Sequence, residues 1–459
     1  MRYRSQSVAY WYFAVALLLF ALQLAFGFLS AVKYLGPDPL RAVLPFDVSK
    51  TLHTNLLVVW LIAGFLGSAF YVVPEESEVE LHSPRLAYWT LALLTVTGVA
   101  AVVGYLFGWT AGNKLLEQPL PIKVSLVVVM LLFAYNIVRT LARGARITAT
   151  AGILVAGIFG AALLYLPSLL EFTNYTIATF YRWWTIHLWV EGVFELIQGG
   201  LLAFLLLRLT GIDRDTVEKW LYIVVGLTFA TGLIGTAHHY FWIGVPEYWL
   251  PLGGFFSALE PLPFLGMAIM AYTALRRIEE PPANRVALHW ALGSAMVALI
   301  GAGILGLAHT WPAVNRWTHG TLITPMHGHL AFFGAYAMIV LGVITYSLPF
   351  LTGNPDAEER RGGLGLWSFW LQVGGMTGMT MAFAAAGVAQ VYMERILGFG
   401  YLETQGKIQV HIQMLLAMSL VFTTGVLLFL WDFFVRHPRR GIHLREPTAE
   451  PGPTETAPL

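Results

Sequence analysis

Long apolar runs separated by short polar segments dominate the pattern of this chain. Stretches long enough to cross a bilayer, roughly 20 residues, begin near residues 10, 55, 88, 122, 147, 182, 218, 251, 286, 321, 366 and 408. The pattern predicts an all-α, polytopic membrane protein with twelve transmembrane helices, residues 1–440 forming one membrane domain. The segment 441–459 is polar and Pro-rich and reads as a disordered tail. The basic start leads into a run from about Val8 to Val32, too long for a signal-peptide core, so an uncleaved first span is expected.

Composition agrees: 57% of the 459 residues are hydrophobic and 12% are charged. A net charge of +1 gives no case for nucleic acid as a partner; membrane lipid is the expected surround. Charge placement sets the orientation. Eighteen of the 27 Lys and Arg fall on segments that are inner if the N-terminus is cytoplasmic, among them Arg139, Arg143, Arg146, Arg276, Arg277, Arg360, Arg361 and Arg445. By the positive-inside rule both termini face the cytoplasm. The absence of Cys removes disulfides, iron–sulfur clusters, thiolate copper and haem attached through C-x-x-C-H. Any metal must be held by His, carboxylate, Met or backbone.

The candidate chemistry is organised around Trp183-Trp-Thr-Ile-His187-Leu-Trp-Val-Glu191-Gly-Val-Phe-Glu195. On a regular helix His187, Glu191 and Glu195 share one face. Each ionisable residue at membrane depth costs roughly 2.5–3.5 kcal/mol on insertion scales, so three together need a purpose. One reading is the lining of a water-filled proton or substrate path; the other is a metal site with a carboxylate beside it. The other histidines favour the metal. His53 precedes span 2, His238 and His239 end span 7, and His327 and His329 open span 10, all near the outer side with His187. Glu260, in Ala258-Leu-Glu260-Pro-Leu-Pro, reaches the same depth and is a candidate proton donor or a partner for a polar group in a kinked helix. His327 and His329 lie about 200° apart around a helix and face opposite sides, which suits axial ligation of two haems. Adjacent His238 and His239 can bend toward one ion. With His187 and the Glu191 oxygen they make a donor set that suits iron, and less well copper.

These motifs carry a resemblance. His53-Thr-Asn-Leu-Leu, His187-Leu-Trp-Val-Glu191-Gly-Val-Phe-Glu195, His238-His239-Tyr-Phe-Trp-Ile-Gly, Ala258-Leu-Glu260-Pro-Leu-Pro and Met326-His327-Gly-His329 together resemble the catalytic large subunit of bacterial cytochrome c-dependent nitric oxide reductases, in the haem-copper oxidase superfamily. The resemblance covers nearly the whole chain. It implies that His53 and His329 ligate a low-spin haem b, and that His327 is the proximal ligand of a high-spin haem b. It also implies that His187, His238, His239 and Glu191 hold a non-haem iron, where two nitric oxide molecules become nitrous oxide and water. Glu195 and Glu260 match acidic residues that tune the iron or deliver protons, and Glu117 matches a calcium ligand. The implied electron donor is a membrane-anchored cytochrome c subunit. A cbb-type oxygen reductase is the alternative, separated by one copper per two haems in place of the iron. A twelve-span secondary transporter would show no Soret absorption, and a haem-binding sensor would form no nitrous oxide.

Overall fold

Helix starts follow from capping side chains at the ends of the polar segments. Ser83, Thr148, Asn174, Asp213 and Asn284 each accept the backbone N–H three residues on, satisfying one of the donors that a helix N-terminus leaves open. Asp213 takes both the N–H and the hydroxyl of Thr216 at 2.8 Å, and these bonds hold its carboxyl below the usual range.

The structure, a computed structural model, describes residues 1–36, 38, 40–280, 282–354, 363–442 and 444. Arg360, Arg361, His443 and Arg445 lie outside the described residues, as does all of the expected tail except 441, 442 and 444. Helices make up nearly all of what is described, and no strand occurs among the described residues. The long ones, in chain order, are α1 (Arg4–Val32), α2 (Phe46–Ser77), α3 (Pro84–Leu106), α4 (Leu120–Leu141), α5 (Ala149–Leu169), α6 (Tyr175–Thr210), α7 (Arg214–Tyr240), α8 (Trp249–Leu275), α9 (Arg285–Thr310), α10 (Ile323–Thr352), α11 (Leu364–Gln390) and α12 (Gln409–Arg436). Eleven of these are long and apolar enough to cross a membrane among the described residues. The remaining one, α11, has the length at 27 residues but is diluted by Gly, Thr, Trp and Gln. The expected count of twelve spans is therefore met by eleven on composition.

Two starts differ from expectation. α2 begins at Phe46 rather than near residue 55, so His53 sits inside the helix instead of before it. The polar turns Asp47–Asn55 stay helical because their side chains find partners: Ser49 Oγ accepts from Ser30 Oγ at 2.9 Å and Asn55 Nδ2 donates to Glu117 at 2.9 Å. α6 likewise starts at Tyr175, capped by Asn174, ahead of the expected position near 182.

Consecutive helices pack as neighbours, and α12 returns to α1. The most apolar stretch of α10 is 94% buried and those of α2 and α6 are 78% buried, against 28% in α1 and α3. Three helices thus form the interior, and they carry His53, His187, His327 and His329. Away from the histidines, Glu76 on α2 is fully buried against the ends of α5, α6 and α7. It accepts from Arg214 at 2.8 Å, Arg208 at 3.4 Å and Thr148 at 2.8 Å, while Glu75 takes Arg208 Nε at 3.2 Å and Gln6 at 3.1 Å. Removing one partner of a buried charge leaves desolvation uncompensated. Arg214→Ala should destabilise the protein by about 2 kcal/mol, read as a lower thermal midpoint of the purified protein in detergent.

Three π-helical turns interrupt the interior: Trp189–Val193 in α6, Leu299–Ile304 in α9 and Phe333–Ala337 in α10. Each shifts one N–H to a carbonyl five residues back and so strips the next carbonyl of its α-helical donor. Phe194 N–H goes to Trp189 O, Leu305 N–H to Ile300 O and Met338 N–H to Phe333 O. The carbonyls deprived are those of Val190, Gly301 and Gly334. All three are taken by side chains: Tyr336 OH donates to Val190 O, His327 Nδ1–H to Gly301 O at 2.9 Å, and Ser294 Oγ to Gly334 O at 2.7 Å. Buried backbone groups are rarely left unpaired, and here the pairing draws in residues of the candidate site.

Candidate metal centre

The turn Trp189–Val193 corrects the expectation of a regular helix face. Glu191 has φ −112° and ψ 32°, outside the helical region, so His187, Glu191 and Glu195 do not stack in line. Glu191 still reaches the histidines: its carboxylate lies 3.5 Å from His187 Nδ1 and 3.8 Å from His238 Nε2. Glu195, past the turn, faces α7 instead, where Thr228 Oγ1 donates to it at 2.9 Å.

Each imidazole is oriented by the nitrogen or face that looks away from the cluster. His187 Nε2–H donates to Gly232 O at 2.8 Å, leaving Nδ1 as an acceptor. His238 Nδ1–H donates to Ser257 Oγ at 2.8 Å, which passes its own proton toward Gly235 O at 3.4 Å, leaving Nε2 as an acceptor. The His239 ring lies flat on Trp183, with centroids 4.3 Å apart and planes 8° apart. Second partners of this kind fix tautomer and ring direction in metal sites.

A metal fits this donor set. One ligand atom from each of His187, Glu191, His238 and His239 lies within 4.8 Å of all the others. Bonds of roughly 2.0–2.2 Å space four donors by about 3.3–4.4 Å, so only a small contraction is needed. Among the described residues, buried His187 Nδ1 and His239 Nε2 have no hydrogen-bond partner. Such orphans call for an occupant. His187 is fully buried and His238 is 9% exposed. Glu260 lies at the break between the two halves of α8, 4% exposed, and Glu195 is fully buried. Both Glu260 oxygens and Glu195 Oε1 lack hydrogen-bond partners among the described residues.

The two remaining groups separate as their spacing requires. His327 turns toward Gly301 on α9. His329 turns the other way, toward His53 on α2, with ring centroids 6.0 Å apart and planes 22° apart. His53 Nδ1–H donates to Gln23 O at 2.9 Å and His329 Nδ1–H to Pro325 O at 2.7 Å, so both Nε2 atoms are left as acceptors. Two imidazole nitrogens sharing one metal atom at roughly 2 Å would put the ring centres about 6 Å apart, so the pair would hold such an atom between them without rearrangement. The His53 ring rests against α1, where a Cβ on Gly27 would come within 2.6 Å of it. Gly27→Ala should therefore displace the ring and disturb the absorption band of whatever chromophore the His53–His329 pair holds, without touching His327.

Glu117 is buried beside α2, its Oε2 held by Asn55 Nδ2, and Tyr105 OH donates to the Asn55 oxygen at 3.1 Å. It joins the His53 helix, apart from the His187 cluster. His309 sits 6.2 Å from the His327 ring, with its nitrogens 3.1 Å from Thr318 and Thr324 hydroxyls. The motifs did not reveal Gln23, Thr228, Gly232, Gly301 and Tyr336. Three of these, Gln23, Gly232 and Gly301, act through backbone carbonyls, which leave no residue-type signal.

The helical bundle encloses a His/Glu cluster and, apart from it, a facing histidine pair, the arrangement of a membrane protein that holds more than one metal-bearing group. The family model described as cytochrome C and quinol oxidase polypeptide I matches residues 7–425, and the chain belongs to this haem-copper oxidase family, whose members carry haem and metal and work as oxidoreductases in the membrane. Among curated relatives, the B chain of the nitric oxide reductase of Stutzerimonas stutzeri is 41% identical, covering 94% of this chain and 95% of that one. The cytochrome c oxidase subunit 1 homolog of Agrobacterium tumefaciens is 24% identical over 90% of this chain and 78% of that protein. A cbb3-type cytochrome c oxidase subunit of Stutzerimonas stutzeri is 24% identical over 77% and 76%. The chain is a multi-pass membrane protein.

Proposed function

We propose that this chain is the catalytic subunit of a nitric oxide reductase that converts two NO, two electrons and two protons into N2O and H2O. The single observation that carries the reading is the carboxylate of Glu191 placed among His187, His238 and His239. Three imidazoles and a hard oxygen suit iron, whereas an all-nitrogen set suits copper. The 41% identity to a nitric oxide reductase chain, against 24% to the oxidase subunits, supports the same choice.

In this reading His53 and His329 hold a low-spin haem b, His327 holds a high-spin haem b, and the His187 cluster with Glu191 holds a non-haem iron. When bound, these groups deliver electrons to a pair of metal sites that accept NO. The residues do the rest. Gly232 O, Ser257 and Trp183 fix the three imidazoles. Glu195 and Glu260, enclosed and short of partners, hold and pass the two protons, entering from the outer side. Glu117 contributes to a calcium site on the outer face. Helix α11 serves as a twelfth span, both termini face the cytoplasm, and residues 1–440 form one domain.

Electrons come from a membrane-anchored cytochrome c subunit, since the chain has no Cys for covalent haem. The deciding experiment is metal analysis of the purified complex alongside nitrous oxide formation from NO and a reduced cytochrome c. One non-haem iron and two haems per chain, with N2O produced, are expected. Copper in place of that iron would overturn the reading in favour of a cbb-type oxygen reductase.

A further inference from the structure

The Trp189–Val193 turn leaves Val190 O without its helical donor, and among the described residues the side-chain donor that replaces it is the Tyr336 hydroxyl, from the π-turn of α10. Tyr336 is 3% exposed. Its ring is caged by Phe194 at 5.5 Å, Phe332 at 5.6 Å and Phe65 at 6.5 Å, all nearly edge to face. The cage fixes the ring, so the hydroxyl reaches the turn from a rigid post. On the other side α7 comes so close that a Cβ on Gly232 would run into the Glu191 carbonyl. The Val190–Glu191 stretch is thus held between Tyr336 and Gly232, and the same Gly232 supplies the carbonyl that orients His187.

We infer that Tyr336 is a positioning residue: its hydroxyl pins the π-turn that takes Glu191 out of line with Glu195 and sets its carboxylate between His187 and His238, and so sets the metal affinity of the cluster. The inference rests on the ligand reading above. A π-turn is less favourable than the regular helix around it and persists where something holds it. Without the hydroxyl, Val190 O is a buried acceptor lacking a donor, and the turn regains its bond by relaxing toward an α-helix. That relaxation turns Glu191 back into line with Glu195 and off the position from which its carboxylate faces His238 on α7. Such supporting contacts typically change metal affinity by about 10–100-fold when removed.

The test uses the purified holoenzyme complex. Tyr336→Phe keeps the caged ring and deletes only the donor. Non-haem iron is removed with a chelator and returned by ferrous titration, with the haem bands as the measure of folding. Tyr336→Phe is expected to weaken iron binding about 10–100-fold at unchanged haem content, a separation that a general packing defect does not produce. Glu191→Ala supplies the coupling: the double variant should bind iron no more weakly than Glu191→Ala alone. Wild-type affinity in Tyr336→Phe, or a loss that adds in full to that of Glu191→Ala, overturns the inference. Should Tyr336→Phe fail to take up haem, Gly232→Ala displaces the same peptide from the opposite side, and normal iron affinity there overturns it equally. A wild-type protein without non-haem metal removes the ligand reading, and the inference with it; wild-type iron with an unaffected Tyr336→Phe removes the inference alone.

Discussion

His329→Ala protein is expected to lose its low-spin haem and its turnover with reduced cytochrome together, while the high-spin haem remains. His329 and His53 face each other across 6.0 Å from different helices. Each is held by a backbone carbonyl on its outer nitrogen, so neither ring can swing to replace the other. If the two histidines together hold the low-spin haem, His53 alone would not retain it in that state. His327 is untouched because it lies on the other side of α10, bonded to Gly301 O. Nitrous oxide formation driven by the cytochrome should fall at least about 100-fold, equivalent to roughly 2.7 kcal/mol of barrier. The reduced-minus-oxidised spectrum checks the assignment; survival of both haem signals would show that the histidines have been paired wrongly.

The same helix shows what the residues disclose on their own. The opposite facing of His327 and His329 follows from a two-residue spacing on any helix, and the structure keeps it. The meeting of His187 with His238 and His239 was legible as well, because helix direction put all three at one depth. Glu191 was legible only as a residue type. A regular helix would have set it on one line with His187 and Glu195, whereas a π-turn separates them. Such a turn has no sequence signature here: Leu188-Trp-Val-Glu-Gly-Val is an ordinary apolar run apart from its acid. Hydropathy also misplaced the start of α2. The polar stretch before Leu56 does not read as helix until the partners of Ser49 on α1 and of Asn55 at Glu117 are known.

The π-turn behind the Glu191 miss belongs to a wider pattern. An α-helix consumes its own carbonyls, so an interior built from regular helices has few acceptors to offer a histidine N–H. Displacing one bond in α9 supplies the acceptor that His327 uses, and the same displacement in α6 both reaims Glu191 and gives Tyr336 a target. The interior thus obtains polar partners for its histidines from the backbone rather than from further charged side chains, which a membrane-embedded site can hold only at a cost.

Glu191→Ala should separate metal choice from haem binding. The substitution deletes the only carboxylate in the donor set and leaves three imidazoles that remain oriented by Gly232 O, Ser257 and Trp183. A three-nitrogen site without a hard oxygen binds iron less well and copper comparatively better. Purified Glu191→Ala protein is therefore expected to carry little non-haem iron and to accept copper when both ions are offered. Nitrous oxide formation should drop on the order of 100-fold, at the upper end of what a supporting contact costs, because a direct donor has gone. The low-spin haem band should be nearly unchanged, since His53 and His329 meet on α2 and α10, outside the cluster. Metal analysis and the spectrum are read on one preparation. Wild-type turnover with full iron in this variant would leave Glu191 without a role at the metal, and the preference for iron would need another source.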